Sequence, residues 1–125
     1  MNLEEQFKFR TKQLALRVIR LVDALPRSRS ADVVGRQLLR SATSVGVNYR
    51  AACRAKSAAD MIAKLSIVEE EADETLFWLE LLVESGLVPE SRLSDLMKET
   101  DEIIAMTVAS IKTLRIRQRK SRPGR

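Results

Sequence analysis

The sequence predicts an all-α protein, an antiparallel up-down four-helix bundle. Four segments carry apolar side chains at the three- and four-residue spacing of amphipathic helices, and breaker residues separate them. Glycine (4) and proline (3) are scarce among the 125 residues, and no strand-like alternation competes. With 45% hydrophobic and 31% charged residues, the composition is that of a folded domain. We expect the bundle over residues 1–118 and a basic tail over 119–125.

The first two helices are separated by a proline. The spacing predicts a first helix over about 3–25, which Pro26 ends because proline lacks the N–H that a helix requires. A second helix is expected over about 32–55, with Ser30 or Asp32 as its cap. Gly46 lies inside it and marks either a close helix crossing or a local weak point.

The third and fourth helices are bounded by capping residues. Ser57 followed by Asp60 resembles a capping box at the start of a helix over about 58–85. Gly86 is placed to end that helix, and Pro89 follows it. A fourth helix is then expected from near residue 90 to about 117.

Charge is sorted by segment. The formal net charge is +5, but segment 26–58 holds seven basic residues and one acidic residue, whereas 59–90 holds nine acidic residues and one basic residue. Such sorting creates local fields that steer charged partners. The basic segment therefore predicts a surface that binds an anion or a matching acidic surface.

Four arginines of the second helix share one stripe opposite its apolar side. At 3.6 residues per turn they fall within about 80° of arc. They are Arg36, Arg40, Arg50 and Arg54. Two interpretations stand: they pair with carboxylates of the acidic third helix, or they contact the phosphates of RNA or DNA. The residues expected to extend that contact are Arg115, Arg117, Arg119, Lys120 and Arg122. Aromatic residues are not interleaved with the basic ones, so binding to the backbone without sequence preference is expected.

The third helix carries a second apolar set away from its main face, interrupted by glutamates. A helix in a single bundle buries one stripe, so this second set predicts a subunit interface. The alternative is that it only widens the core. The predicted interface residues are Ile67, Glu70, Glu74, Phe77, Trp78 and Leu81.

Signatures of catalysis and metal binding are missing. The absence of histidine excludes Ser-His-Asp and Cys-His arrangements and the commonest zinc ligand. Cys53 is expected on the core side as an inert thiol, and a single cysteine indicates a reducing compartment. No apolar run approaches the ~20 residues that span a bilayer, and the first residues lack a signal-peptide pattern. We expect a cytoplasmic, non-enzymatic protein without cofactor or metal.

The segment from Gln37 to Leu87 resembles a known family. The shared features are Gln37-Leu38 with Arg40, Ser44 before Asn48, Arg54, Ser57, Asp60 and an acidic helix ending before Gly86. It is similar to four-helix-bundle proteins of intervening sequences in bacterial 23S ribosomal RNA genes, a group that includes the accessory protein of diversity-generating retroelements. The resemblance implies a ring-shaped homo-oligomer, typically a pentamer. In the retroelement relatives the basic surface binds nucleic acid and engages a reverse transcriptase.

One segment departs from the family pattern. Where many relatives carry Asn-Ile-Ala-Glu-Gly, this chain has Asn48-Tyr49-Arg50-Ala51-Ala52, which makes the local charge more positive. The leading interpretation is an oligomeric bundle with a basic surface for RNA or DNA and a reverse transcriptase as a further expected partner. The alternative is a protein-interaction scaffold whose arginines pair with the acidic third helix.

Overall fold

Four helices form an antiparallel up-down bundle in the computed structural model, which describes residues 1–121. They are α1 (Leu3–Asp23), α2 (Arg29–Cys53), α3 (Ala58–Glu84) and α4 (Glu90–Lys120). Each helix packs against two neighbours around the bundle; the contact between α2 and α3 is the most extensive and that between α1 and α4 the least. The predicted all-α four-helix bundle is confirmed. None of its four helices is long and apolar enough to cross a membrane.

Helix α2 begins earlier than the sequence predicts. Ser28 has an extended backbone, and its Oγ accepts a hydrogen bond from the Ala31 N–H at 3.1 Å, so Ser28 is the N-cap. The predicted caps, Ser30 and Asp32, lie inside the first turn of the helix. Asp32 is therefore free to pair with Arg36 one turn later.

The connections on either side of α3 follow the prediction. Ser57 Oγ accepts from the Asp60 N–H at 3.0 Å, and the Asp60 carboxylate accepts from the Lys56 N–H at 3.4 Å. After α3, Gly86 has a φ of 80°, a left-handed conformation that glycine adopts without strain. These caps hold the ends of the helix that faces the arginines of α2.

Helix α4 ends later than predicted. It continues to Lys120 and so takes up Arg119 and Lys120, which the sequence assigned to the basic tail. Arginine, glutamine and lysine are good helix formers, and no glycine or proline interrupts α4 before position 121. The basic side chains at this end are thus held on a helix.

The core is built from one stripe per helix. Its largest fully buried side chains include Leu14, Leu38, Leu65, Leu79, Leu82 and Ile103. On α4 the stripe contains Ile103, which is buried, while its neighbour Ile104 is only partly buried. The buried stripe of α4 includes Thr100 and Thr107. Because both residues are polar, a search for apolar periodicity does not identify them as core positions.

Within residues 1–121, five serine and threonine side chains are buried in the core. They are Thr11, Ser41, Thr75, Thr100 and Thr107. The hydroxyls of Thr100 and Thr107 each donate to a carbonyl one turn earlier at 2.7 Å. A buried hydroxyl with a partner carries little penalty, so these positions do not need apolar residues.

The two glycines of α2 differ in their surroundings. A Cβ on Gly35 would lie 3.2 Å from Leu25 Cδ1, which is tighter than ordinary contact. A Cβ on Gly46 would lie 3.5 Å from Thr11 Oγ1, which is an ordinary contact. The backbone carbonyl oxygen of Thr11 would lie 3.6 Å from that Cβ, so α1 and α2 approach closely at Gly46, whereas only side-chain atoms of Leu25 and Val22 approach Gly35.

We expect Gly46→Ala to raise the free energy of unfolding by roughly 0.5–1 kcal/mol, because alanine lowers the entropy of the unfolded chain without a clash. Urea denaturation followed by circular dichroism measures the change. Gly35→Ala is the matched control, and we expect a smaller gain or a loss because Leu25 must move. Destabilisation by Gly46→Ala would contradict this account of the α1–α2 contact.

Candidate nucleic-acid interface

The structure divides the arginine stripe of α2 into a paired half and a free half. Arg36 Nη2 lies 2.5 Å from the Asp32 carboxylate, one turn away on the same helix, and both side chains are exposed. Arg40 reaches across to α3, where its Nη2 lies 2.5 Å from Glu74 Oε2 and 3.3 Å from Glu71 Oε2. The first two arginines thus already have carboxylate partners within the subunit.

Arg40 is the centre of a small network that ties α2 to α3. Its hydrogen bond to Glu74 holds the pKa of that carboxyl below its ordinary value, aided by a weaker bond from Trp78 Nε1 at 3.3 Å. The same carboxylates raise the pKa of Arg40. The pairing interpretation therefore applies to Arg40.

Arg50 and Arg54 form the free half of the stripe. Both are exposed, and within residues 1–121 neither makes a salt bridge or a side-chain hydrogen bond. They line an open pocket of about 490 Å³ with Lys56, Lys64 and Asp60. Lys64 and Asp60 already pair with each other at 2.9 Å. The unbalanced positive charge of this pocket thus comes from Arg50, Arg54 and Lys56.

A second pocket continues this surface onto α1. It has a volume of about 440 Å³, and it shares Val47 and Arg50 with the first pocket. From α1 it adds Lys8, Lys12 and Phe9. We call the continuous surface the basic groove, defined by Lys8, Phe9, Lys12, Val47, Arg50, Arg54 and Lys56.

The basic groove contains apolar side chains as well as charge. Phe9 is 54% exposed and Val47 is 68% exposed. The expectation that no aromatic residue lies among the basic ones is wrong at Phe9. Sequence reasoning missed Phe9, Lys8 and Lys12 because they lie on another helix. The usable signal was the spacing of Lys8 and Lys12, one turn apart along the edge of the core stripe of α1.

The basic residues of α4 lie at the same end of the bundle as Arg54. Because neighbouring helices are antiparallel, this end combines the starts of α1 and α3 with the ends of α2 and α4. Arg117 lines a pocket there with Leu3 and Met61. The other predicted binding residues of α4 are exposed: Arg115, Arg119 and Lys120. Arg122 lies outside the described residues.

Cys53 is a half-buried thiol beside Tyr49 on the inner side of α2. Burial raises the pKa of the Cys53 thiol, with a smaller contribution from Glu4. A raised pKa lowers the thiolate fraction at neutral pH, which fits the inert role predicted for it, although the side chain is less buried than expected. Across positions 1–121, no three acidic or cysteine side chains are grouped so as to hold a metal ion.

The predicted interface residues of α3 fall into two classes. Phe77 and Ile67 are 50% and 40% exposed, and Glu70 is exposed beside them. Trp78 instead packs against the core and contacts Phe77 edge-on, with ring centroids 5.1 Å apart. Leu81 is half-buried, and Glu74 is held by Arg40 within the subunit. Part of this set therefore widens the core, and Phe77 and Ile67 remain without cover.

The family model of the 23S rRNA-intervening sequence protein matches residues 6–109. The chain belongs to the family of 23S rRNA-intervening sequence proteins. The family part of the sequence-based resemblance is confirmed, and the relation to diversity-generating retroelements stays a prediction.

A solved structure supports the same assignment. The chain is similar to a protein of unknown function from the S23 ribosomal protein family of Bacteroides thetaiotaomicron, with 34% sequence identity and a TM-score of 0.81. The match covers 87% of this chain and 97% of the other. Comparison with curated proteins gave no match. The bundle is thus shared with this family member along nearly all of that protein's length.

The Arg40–Glu74 pair should make stability depend on pH. The pKa of Glu74 is lower in the folded protein than the ordinary glutamate value of 4.5. The Glu74 carboxylate therefore stabilises the fold above pH 4.5, and this contribution is lost as the pH falls through the lowered pKa of the folded state. We therefore expect Arg40→Gln to lower the free energy of unfolding at pH 7 and to have a smaller effect near pH 3. Urea denaturation at both pH values measures this. Arg54→Gln is the control without a carboxylate partner, and an Arg40→Gln effect that is equal at both pH values would argue against the pair.

Proposed function

We propose that this member of the family is a non-enzymatic protein that binds RNA or DNA through the basic groove. The observation that carries the proposal is the free half of the arginine stripe. Arg50 and Arg54 share one continuous surface with Lys12, and none of the three has a carboxylate partner within residues 1–121. Unneutralised guanidinium groups on a helix face suit the phosphates of a nucleic-acid backbone.

The shape of the groove favours binding that is tolerant of sequence. Its side chains are cationic or apolar, and the acidic Asp60 at its edge is already paired with Lys64. Phosphate contacts position a strand without reading its bases. The exposed ring of Phe9 can stack on a base of any type, which favours unpaired strands over duplexes.

The competing function is a protein-interaction scaffold without nucleic-acid binding. The pairing of Arg40 with Glu71 and Glu74 supports it for the first half of the stripe only. We assign Arg36 and Arg40 mainly to the stability of the subunit. A reverse transcriptase as partner rests on the resemblance to retroelement accessory proteins and is part of the proposal.

Two matched double variants separate these functions. Arg50→Gln with Arg54→Gln removes the free pair, and Arg36→Gln with Arg40→Gln removes the same charge from the paired half. We expect the first to weaken binding of an unrelated single-stranded oligonucleotide strongly and the second to weaken it little. The slope of log affinity against log salt should fall by about 0.7 for each phosphate of a single strand that the variant no longer neutralises.

Fluorescence anisotropy over a series of salt concentrations measures both quantities. Equally weakened binding in the two double variants would mean that general charge, and not the groove, determines affinity. If the parent protein shows no binding even at low salt, the nucleic-acid function is refuted for this chain acting alone.

The proposal includes a ring of identical subunits, most simply a pentamer as the resemblance implies. The support on this chain is the uncovered pair of Phe77 and Ile67 on α3, with Glu70 between them. Large apolar side chains exposed on the same side of a helix are typical of subunit contacts. A subunit interface would cover them.

We expect Phe77→Glu to reduce the assembly to smaller species while the helical content stays unchanged, because Phe77 is half exposed in the single subunit. Light scattering coupled to size-exclusion chromatography gives the mass, which is a multiple of 14.1 kDa for the parent. The control is Val33→Glu, an equally exposed apolar residue on α2. A parent mass of 14.1 kDa at micromolar concentration would disprove the assembly.

A further inference from the structure

A pocket rimmed by arginines lies at the end of the bundle remote from Arg54. It opens between the last turns of α1 and the first turns of α4 and has a volume of about 350 Å³. Arg17 and Arg20 reach it from α1, and Arg92 reaches it from α4. No carboxylate lines it, and within residues 1–121 none of these arginines takes part in a salt bridge.

The floor of this pocket is apolar and reaches the core. Leu93 and Leu96 are 2% and 4% exposed, and both line the pocket, with Leu21, Leu25 and Pro26 on its walls. A ligand that enters it would place one end against carbon and the other among guanidinium groups. The arrangement suits a molecule with an anionic head and a flat or apolar body.

Another arginine at the contact between α1 and α4 has a carboxylate partner. Arg10 is held by Glu99 through two bonds, Nε to Oε2 at 2.9 Å and Nη2 to Oε1 at 2.6 Å. Arg17 lies two turns further along α1 and has no such carboxylate opposite it. Arg10 thus has a carboxylate partner within the bundle. The three arginines that line the pocket have none within residues 1–121.

We propose that this pocket binds a phosphomonoester whose attached group is a nucleoside, either a free nucleotide or the 5′-phosphorylated end of a strand. A phosphomonoester carries up to two negative charges and three acceptor oxygens, and guanidinium groups match it with paired hydrogen bonds. The base would lie against the leucines of the floor. The volume is in the lower range of small-ligand pockets. The site is distinct from the basic groove and does not depend on it.

Calorimetry with adenosine 5′-monophosphate tests the site at low ionic strength. We expect the nucleotide to bind, and adenosine and inorganic phosphate each to bind at least tenfold more weakly, because each lacks one half of the recognised group. Arg17→Gln and Arg92→Gln should each weaken the nucleotide about tenfold or more, as expected when a charge-assisted hydrogen bond is removed. The matched control is Arg27→Gln, which removes an equal charge near the same end from a residue that does not line the pocket.

Two outcomes would overturn the proposal. One is no binding of the nucleotide at millimolar concentration by the folded parent protein. The other is an equal effect of Arg17→Gln and Arg27→Gln, which would mean that net charge and not the pocket is responsible.

Oligonucleotides tested in the Arg50→Gln, Arg54→Gln background, where binding in the basic groove is weakened, identify the source of the phosphate. A 5′-phosphorylated strand that binds more tightly than its 5′-hydroxyl counterpart, with a gain abolished by Arg17→Gln, identifies the strand end. Nucleotide binding without that gain identifies the free nucleotide.

Discussion

The close pairing of α2 with α3 determines which charges of this protein are free. At its centre the hydroxyls of Ser41 and Thr75 lie 2.9 Å apart in the core, beside the small buried Ala42 and Ala72. This contact sets the register of the two antiparallel helices. Arg40, next to Ser41, therefore lies opposite the carboxylates of Glu71 and Glu74. Arg50 lies about 15 Å further along α2, beyond the acidic run of α3. There α3 offers only Asp60, which Lys64 already neutralises.

The fold was predictable because the apolar periodicity of each helix lies within its own sequence, although the start of α2 and the end of α4 were placed wrongly. The functional surface was not, because its properties depend on what lies across a helix contact. Arg40 and Arg50 lie at the two edges of the arginine stripe, about 80° apart around α2. Arg40 contacts carboxylates of α3, whereas Arg50 lines a pocket with residues of α1. A helical wheel of α2 alone does not show which neighbour each edge meets. Phe9 and Lys12 of α1 line one pocket with Arg50 of α2, and this proximity depends on how the two helices pack. Thr100 and Thr107 lie in the core of α4 without an apolar side chain to indicate it, because their hydroxyls donate to carbonyl groups of the same helix.

The least extensive helix contact, between α1 and α4, has an open pocket at each end. Near the start of α1 the pocket is lined by Leu3, Phe7 and Arg117, and near its end by the arginine rim described above. Between the two, the bidentate pair of Arg10 and Glu99 holds the helices together. Since this contact is the least extensive of the four, the pairing of Arg10 with Glu99 and, at 3.6 Å, with Glu102 links the two helices between the pockets. Binding surfaces can form here without disturbing the α2–α3 contact.

The bond from Trp78 to Glu74 gives the protein an intrinsic optical probe. Trp78 is the only tryptophan in the chain, and its indole N–H donates to the carboxylate that Arg40 also holds. Indole emission responds to nearby charge and to water. Any anion that draws the guanidinium of Arg40 away from α3 would change the electric field at the indole. The intensity and wavelength of emission from an unlabelled sample therefore distinguish ligands that compete for the paired half of the stripe from ligands that occupy the basic groove alone.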